Sequence, residues 1–150
     1  MSEVLFYHLT ASTLEQTLPE LLERSLARDW RVLVRSANEA RLNALDEKLW
    51  TYRADSFLPH GTSGVGQEAG QPILLTHGRD NDNNADILML VDGARIDCPE
   101  VVNFQRVCLI FNGHEQDALQ AARADWKSVT EAGLEAKYWA QDNGKWVQKA

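Results

Sequence analysis

Cysteine is nearly absent from this chain. Only Cys98 and Cys108 occur in 150 residues, both among apolar neighbours, so no disulfide framework exists and both are expected to be reduced core thiols. No apolar run approaches the ~18 residues that a membrane-spanning helix needs. Met1 to His8 offers no basic region and no long apolar stretch, so no signal peptide is expected and the expected compartment is the cytoplasm. Positive charge is scarce too: 15 Lys and Arg stand against 22 Asp and Glu, a net charge of −7. Phosphate contacts need Lys and Arg, so tight binding to bare nucleic acid is not expected.

The usual signatures of chemistry are missing as well. Gly64 to Gly70 resembles a dinucleotide fingerprint, but its spacing is one residue too long and it leads into Pro72 and a strand rather than a helix. Asp80-Asn-Asp-Asn-Asn84 resembles the start of a calcium loop. Ala85 stands where that loop needs glycine, and Val91 at the twelfth position has no carboxylate. His8, His60, His77 and His114 are scattered without helical pairing, so no metal site is expected. Ser63, in Gly61-Thr-Ser-Gly-Val65, lacks the second glycine of a nucleophile elbow and follows no suitable strand. No cofactor and no catalytic residue is expected.

What is present is alternation of strand and helix patterns. Val4–Leu9 reads as a strand. Thr13 or Ser12 can cap a helix with Gln16 or Glu15 three residues on, and Leu14, Leu18, Leu21, Leu22 and Leu26 mark one face of it. Arg31–Arg35 reads as a strand buried on both faces, and a second helix is expected from about Ala37 to Trp50. Asp55 to Gly61 reads as an aromatic, proline-stiffened turn, and Gly61 to Gln71, with four of the nine glycines, as a mobile surface loop. Strands follow at Pro72–Thr76, Ala85–Asp92 and Val107–Phe111, with a helical turn opened by Pro99 between the last two. A long helix is expected from about Glu115 to Ala132, stopped by Gly133. Around the Asp142-Asn-Gly144 turn signal, a hairpin or a strand and turn is open. The pattern predicts one domain over residues 1–150, a three-layer α/β fold with a mainly parallel central sheet.

Two groups of residues stand out. Trp50, Tyr52, Phe57 and Pro59 read either as core packing at a helix end or as an apolar partner patch beside the glycine loop. On the last helix Arg123, Lys127 and Thr130 share one side, with Trp126 beside them. They read either as a solvated face with Trp126 turned inward or as a pocket where paired cations and an aromatic receive a carboxylate attached to an apolar group. The charge is uneven in the same sense. Residues 1–122 carry ten Lys/Arg and eighteen Asp/Glu, a balance of −8, and residues 123–150 carry five and four, a balance of +1.

The stretches Phe6-Tyr7, Arg31-Val-Leu-Val34, Leu45-Asp-Glu-Lys-Leu-Trp50, Ser56-Phe-Leu-Pro-His60, Ala122-Arg123, Trp126-Lys127 and Gly133 occur in an order that resembles the chi subunit of bacterial DNA polymerase III holoenzyme. The resemblance runs over nearly the whole chain. It implies a Rossmann-like topology without a nucleotide site and a non-catalytic accessory subunit of the clamp-loader complex. The implied partners are the acidic C-terminal tail of the single-stranded-DNA-binding protein and the psi subunit, or a helicase using the same surface as psi. The implied tail site is Arg123, Trp126, Lys127, Thr130 and Gly133, and the implied psi-type interface is Trp50, Phe57, Pro59 and His60. Two features depart from the family pattern: the longer end from Tyr138 to Ala150, and Asp125 on the last helix, which is expected to weaken the cationic site slightly, with Lys137 or Lys145 able to compensate. The competing expectation is a small enzyme of nucleotide-binding topology.

Overall fold

Short runs of branched and aromatic side chains build the sheet. In the computed structural model, which describes residues 2–51, 60–62, 71–78, 81, 83–143 and 145–150, every residue of β2 (Val32–Ser36), β4 (Ile73–Thr76) and β5 (Ile87–Val91) is buried. Strands covered on both faces read as continuous apolar runs, and these three do. With β1 (Glu3–Leu9), β3 (His60–Thr62), β6 (Arg106–Asn112), β7 (Glu135–Asp142) and β8 (Lys145–Gln148) they form one eight-stranded sheet in the order β3-β4-β2-β5-β6-β1-β7-β8. All neighbours are parallel except β7 and β8.

Among the described residues, four helices cover the two faces. Helix α1 (Leu14–Ala27) starts at a complete capping box: the Thr13 hydroxyl accepts from the Gln16 amide, and Gln16 accepts from the Thr13 amide. Its Leu18, Leu21 and Leu22 join Leu42, Leu45 and Leu49 of α2 (Glu39–Thr51) over one face of the sheet, where β1 presents Leu5 and Leu9. The other face carries Val4 and Phe6 of β1 under α3 (Cys98–Val101) and α4 (Gln116–Glu131), packed through Val101, Ala122 and Val129. Cys108 is buried and its thiol is pushed up to about 12 by desolvation, whereas Cys98 is half-buried; both are free thiols.

The C-terminus of α4 explains Gly133. The Leu134 amide donates to the Val129 carbonyl and the Gly133 amide to the Thr130 carbonyl, a Schellman stop that requires the left-handed φ of 76° found at Gly133. Leu134 then turns into the same cluster as Val129, and β7 follows beside β1.

The described residues differ from the sequence expectation in two places. His60–Thr62, read as the end of a turn and the start of a loop, form an edge strand parallel to β4. Three residues pairing through backbone alone leave no side-chain period to detect. Arg35, expected as the last residue of a strand from Arg31, lies inside β2 and is buried, and its guanidinium holds the Glu100 carboxylate with bonds of 2.7 and 2.9 Å. That pairing ties β2 to α3.

Candidate functional site

α4 crosses the sheet above β6, β1 and β7. Ala122 and Val129 point into the core, which turns Trp126 and Arg123 toward β7. Trp126 is half-buried: its ring meets Phe6 edge-on at 5.2 Å and Tyr138 at 5.8 Å. Tyr138 in turn stacks on Phe6 at 6.1 Å with the planes 15° apart. One side of the indole therefore anchors the helix, and part of the ring stays accessible as a wall.

Arg123 and Lys127 stand exposed above this wall, one turn apart. Lys127 has a weak partner in Glu131 at 4.0 Å, both ends open to water. The Thr130 hydroxyl donates back to the Trp126 and Lys127 carbonyls and stays on the same edge of the helix. Gly133 follows at the helix stop, and no atom lies within 4 Å of where its Cβ would be, so conformation rather than crowding calls for glycine there. The five residues of the expected tail site thus share one helix edge and its end.

Beneath Arg123 lies a polar pair that the sequence reading missed. His8 Nδ1 and the Tyr138 hydroxyl are 2.8 Å apart, and the His8 ring packs against Phe111 at 5.1 Å. Burial, aided by the nearby charges of His114 and Arg123, holds His8 below its ordinary value of 6.5. Burial also raises the Tyr138 hydroxyl, opposed by Arg123. The available signal was the alternation Ala136, Tyr138, Ala140, which places Tyr138 on the α4 face of β7.

Asp125 does not weaken the cationic edge as expected. It is buried on the far side of α4, where Arg95 grips both carboxylate oxygens at 2.7 to 3.1 Å and the Ile96 amide adds a bond of 3.2 Å. Nor can Lys137 compensate. It alternates with Tyr138 on β7, faces away from α4, and lies 3.8 Å from Glu3. Phe57 and Pro59 of the expected second interface lie outside the described residues. Of Trp50 and His60 only the backbone is described, at the end of α2 and the start of β3.

A crevice of about 770 Å³ opens at the C-terminal ends of β1, β5 and β6. It lies where the chain leaves β1 for one face of the sheet and neighbouring β6 for the other, the position at which open α/β sheets bind ligands. Here the amides that would hold a phosphate are occupied. Gln141 Oε1 accepts from the backbone N–H of Thr10, Ala11 and Ser12 at 3.0, 2.9 and 3.1 Å. Arg41 is held between Glu15 and Asp92, and Arg95 by Asp125. Among the described residues, no group of three or more His, Cys, Asp or Glu could hold a metal ion, and no helix is long and apolar enough to cross a membrane.

Comparison with known proteins gives the context for this geometry. A protein of Pseudomonas aeruginosa named DNA polymerase III subunit chi is 30% identical over 138 residues, covering 89% of this chain and 92% of that protein. The Escherichia coli K12 protein of the same name is 29% identical over 128 residues, 82% of each chain. A Rickettsia prowazekii protein named probable DNA polymerase III subunit chi is 28% identical over 91 residues; the match takes in 61% of this chain and about half of that protein's length, 55%. Residues 1–137 match the family described as DNA polymerase III chi subunit, HolC. The chain belongs to the DNA polymerase III chi subunit family.

Proposed function

We propose that this protein is a non-catalytic accessory subunit of the replicative polymerase that binds the acidic C-terminal tail of single-stranded-DNA-binding protein and links it to the clamp-loader complex. The observation that carries the reading is the pairing of exposed Arg123 and Lys127 with the half-buried wall of Trp126 and Tyr138. A carboxylate on a chain terminus needs a few placed cations, and the apolar side chain next to it needs a socket; both lie within one turn of α4. An acidic subunit reaches DNA in this way through the protein that coats it, without tight contact to the bare strand. The second attachment, to a psi subunit or to a helicase using the same surface, falls to Trp50, Phe57, Pro59 and His60. Work on coated DNA places the protein in the cytoplasm, at the nucleoid through its partners.

Calorimetric titration with the tail peptide of the cognate binding protein tests this. A free-carboxylate peptide should bind, and its C-terminally amidated form should bind roughly tenfold more weakly. Equal affinity for the two would remove the α4 site from the account. The second reading, a small nucleotide-binding enzyme, has the crevice in its favour. Against it stands Gln141, which already fills the amides a phosphate would need. A parallel titration with ATP and NAD should show no binding; saturable binding of either would favour the enzyme.

A further inference from the structure

The family match ends at residue 137, and beyond it the chain builds a hairpin alongside the α4 site. Parallel pairing sets β7 beside β1, and β8 turns back antiparallel to become the outer edge of the sheet. Residues directly opposite in an antiparallel pair point to the same face. Lys145 lies opposite Asp142 and Val147 opposite Ala140; farther on, the Lys149 amide donates to the Tyr138 carbonyl at 2.7 Å. All three therefore project to the face that carries Tyr138. The alternate residue Trp146 points the other way, edge-on to Tyr7 at 5.2 Å. The hairpin thus lies on the same face of the sheet as the Arg123–Trp126 edge of α4.

That face has the chemistry of an extended peptide site. Val147 is 38% exposed and flanked by two lysines at alternate positions. Among the described residues neither Arg123 nor Lys145 has an ion-pair partner. Lys149 is 3.8 Å from Asp142, both about half exposed, a pairing that an incoming carboxylate can replace. Open and loosely paired cations around an apolar strip, on a protein of net charge −7, fit an acidic peptide.

We infer that the β7–β8 hairpin is the second wall of the tail site, with Lys145 and Lys149 receiving acidic residues upstream of the terminal carboxylate that Arg123 and Lys127 hold. This rests on the function proposed above and adds to it the path of the bound chain. The test compares two peptides on the full-length protein: the natural tail, and one whose upstream acidic residues are replaced by serine with the free carboxylate kept. The Lys145→Glu, Lys149→Glu double variant should bind the natural tail about fivefold or more weakly and leave the serine peptide unchanged. The milder Lys145→Gln, Lys149→Gln variant should fall between, and near-ultraviolet circular dichroism reports whether the Tyr7–Trp146 contact and the fold survive. Unchanged binding of the natural tail to folded variants overturns the inference while leaving the α4 site standing, and so does an equal loss for both peptides. Failure of the unaltered protein to bind either peptide overturns the function proposed above, and this inference with it.

Discussion

Replacing Arg123 by alanine isolates the contact on which the tail site depends. The guanidinium is exposed, so water screens it. A unit charge pair at 4 Å is worth about 1 kcal/mol in bulk water and about 4 kcal/mol at the effective dielectric near a protein surface. Trp126 and Tyr138 exclude water from one side only, which places the pair toward the lower part of that range. A charge-assisted hydrogen bond contributes about 1.5–3 kcal/mol, and the lower end, about 1.5 kcal/mol, corresponds to roughly tenfold in Kd. Lys127, one turn away, keeps part of the attraction, so binding should weaken without vanishing. Amidating the peptide terminus removes the other half of the same pair and should cost a similar factor. Both changes together should then lose less than the sum, with a coupling of about 1 kcal/mol in a double-mutant cycle measured by calorimetry. Because Arg123 is exposed, the variant should keep its unfolding midpoint. Fully additive losses on folded protein would refute the assignment and move the carboxylate to the hairpin, with Lys145 and Lys149 as the next candidates.

Arg95→Ala strips the buried Asp125 carboxylate of all three of its guanidinium bonds; Arg95 is 53% exposed, so water softens the loss, and urea unfolding should show about 2 kcal/mol of destabilisation. Gly113→Ala would drive a Cβ into the His8 ring, so it should destabilise by about 1–3 kcal/mol, and His8→Ala should restore most of that in the double variant. Because His8 titrates below 6.5 in the fold, the unfolded chain binds more protons than the native one just below that pH, so stability should be complete above 6.5 and fall as pH drops through the folded value. Denaturation midpoints followed across that window should show a flatter decline in His8→Gln, and an identical profile would remove His8 as the source.

Legibility in the sequence followed how local each signal was. The Thr13–Gln16 capping box and the Gly133 stop need only neighbours three to five residues away, and both were readable before any fold was known. The runs at Val4, Ile87 and Val107 announced strands, and the run at Val32 announced burial on both faces because helices cover both sides. Long-range geometry was not legible. Nothing beside Arg35 in the chain announces Glu100, sixty-five residues on. His8 and Tyr138 are separated by 130 residues and meet only because β1 and β7 pair in parallel. The same pairing carries Gln141 to the β1–α1 loop, where one side-chain oxygen takes three amides that no sequence pattern connects to it. Asp125 was misjudged for the same reason, since its partner Arg95 lies across the core and its helix position alone suggested the cationic edge.

The distribution of charge decides which of the two openings an anionic partner would enter. The crevice at the strand ends is lined by Glu15, Asp92, Glu115, Asp117 and Asp125, against Arg41 and Arg95, both held by carboxylates of the same crevice. An anion approaching it meets a surplus of negative charge and a nest of amides that Gln141 already fills. Around the corner of the sheet, Arg123 and Lys145 stand without ion-pair partners among the described residues, with Lys127 and Lys149 only loosely held. Long-range attraction acts on approach rates before any contact forms, so on the reading proposed above an acidic chain would be turned away from the ligand position of the nucleotide-binding folds and steered to the face shared by α4 and the hairpin. Proteins of this topology that bind nucleotides place a glycine-rich turn and a helix N-terminus at the switch point. Here the β1–α1 turn has no glycine between Thr10 and Thr13, and its amides close on a side chain of the same chain. With that position occupied from within, the exposed edge of α4 and the hairpin beside it are, among the described residues, a surface that offers positive charge to a partner.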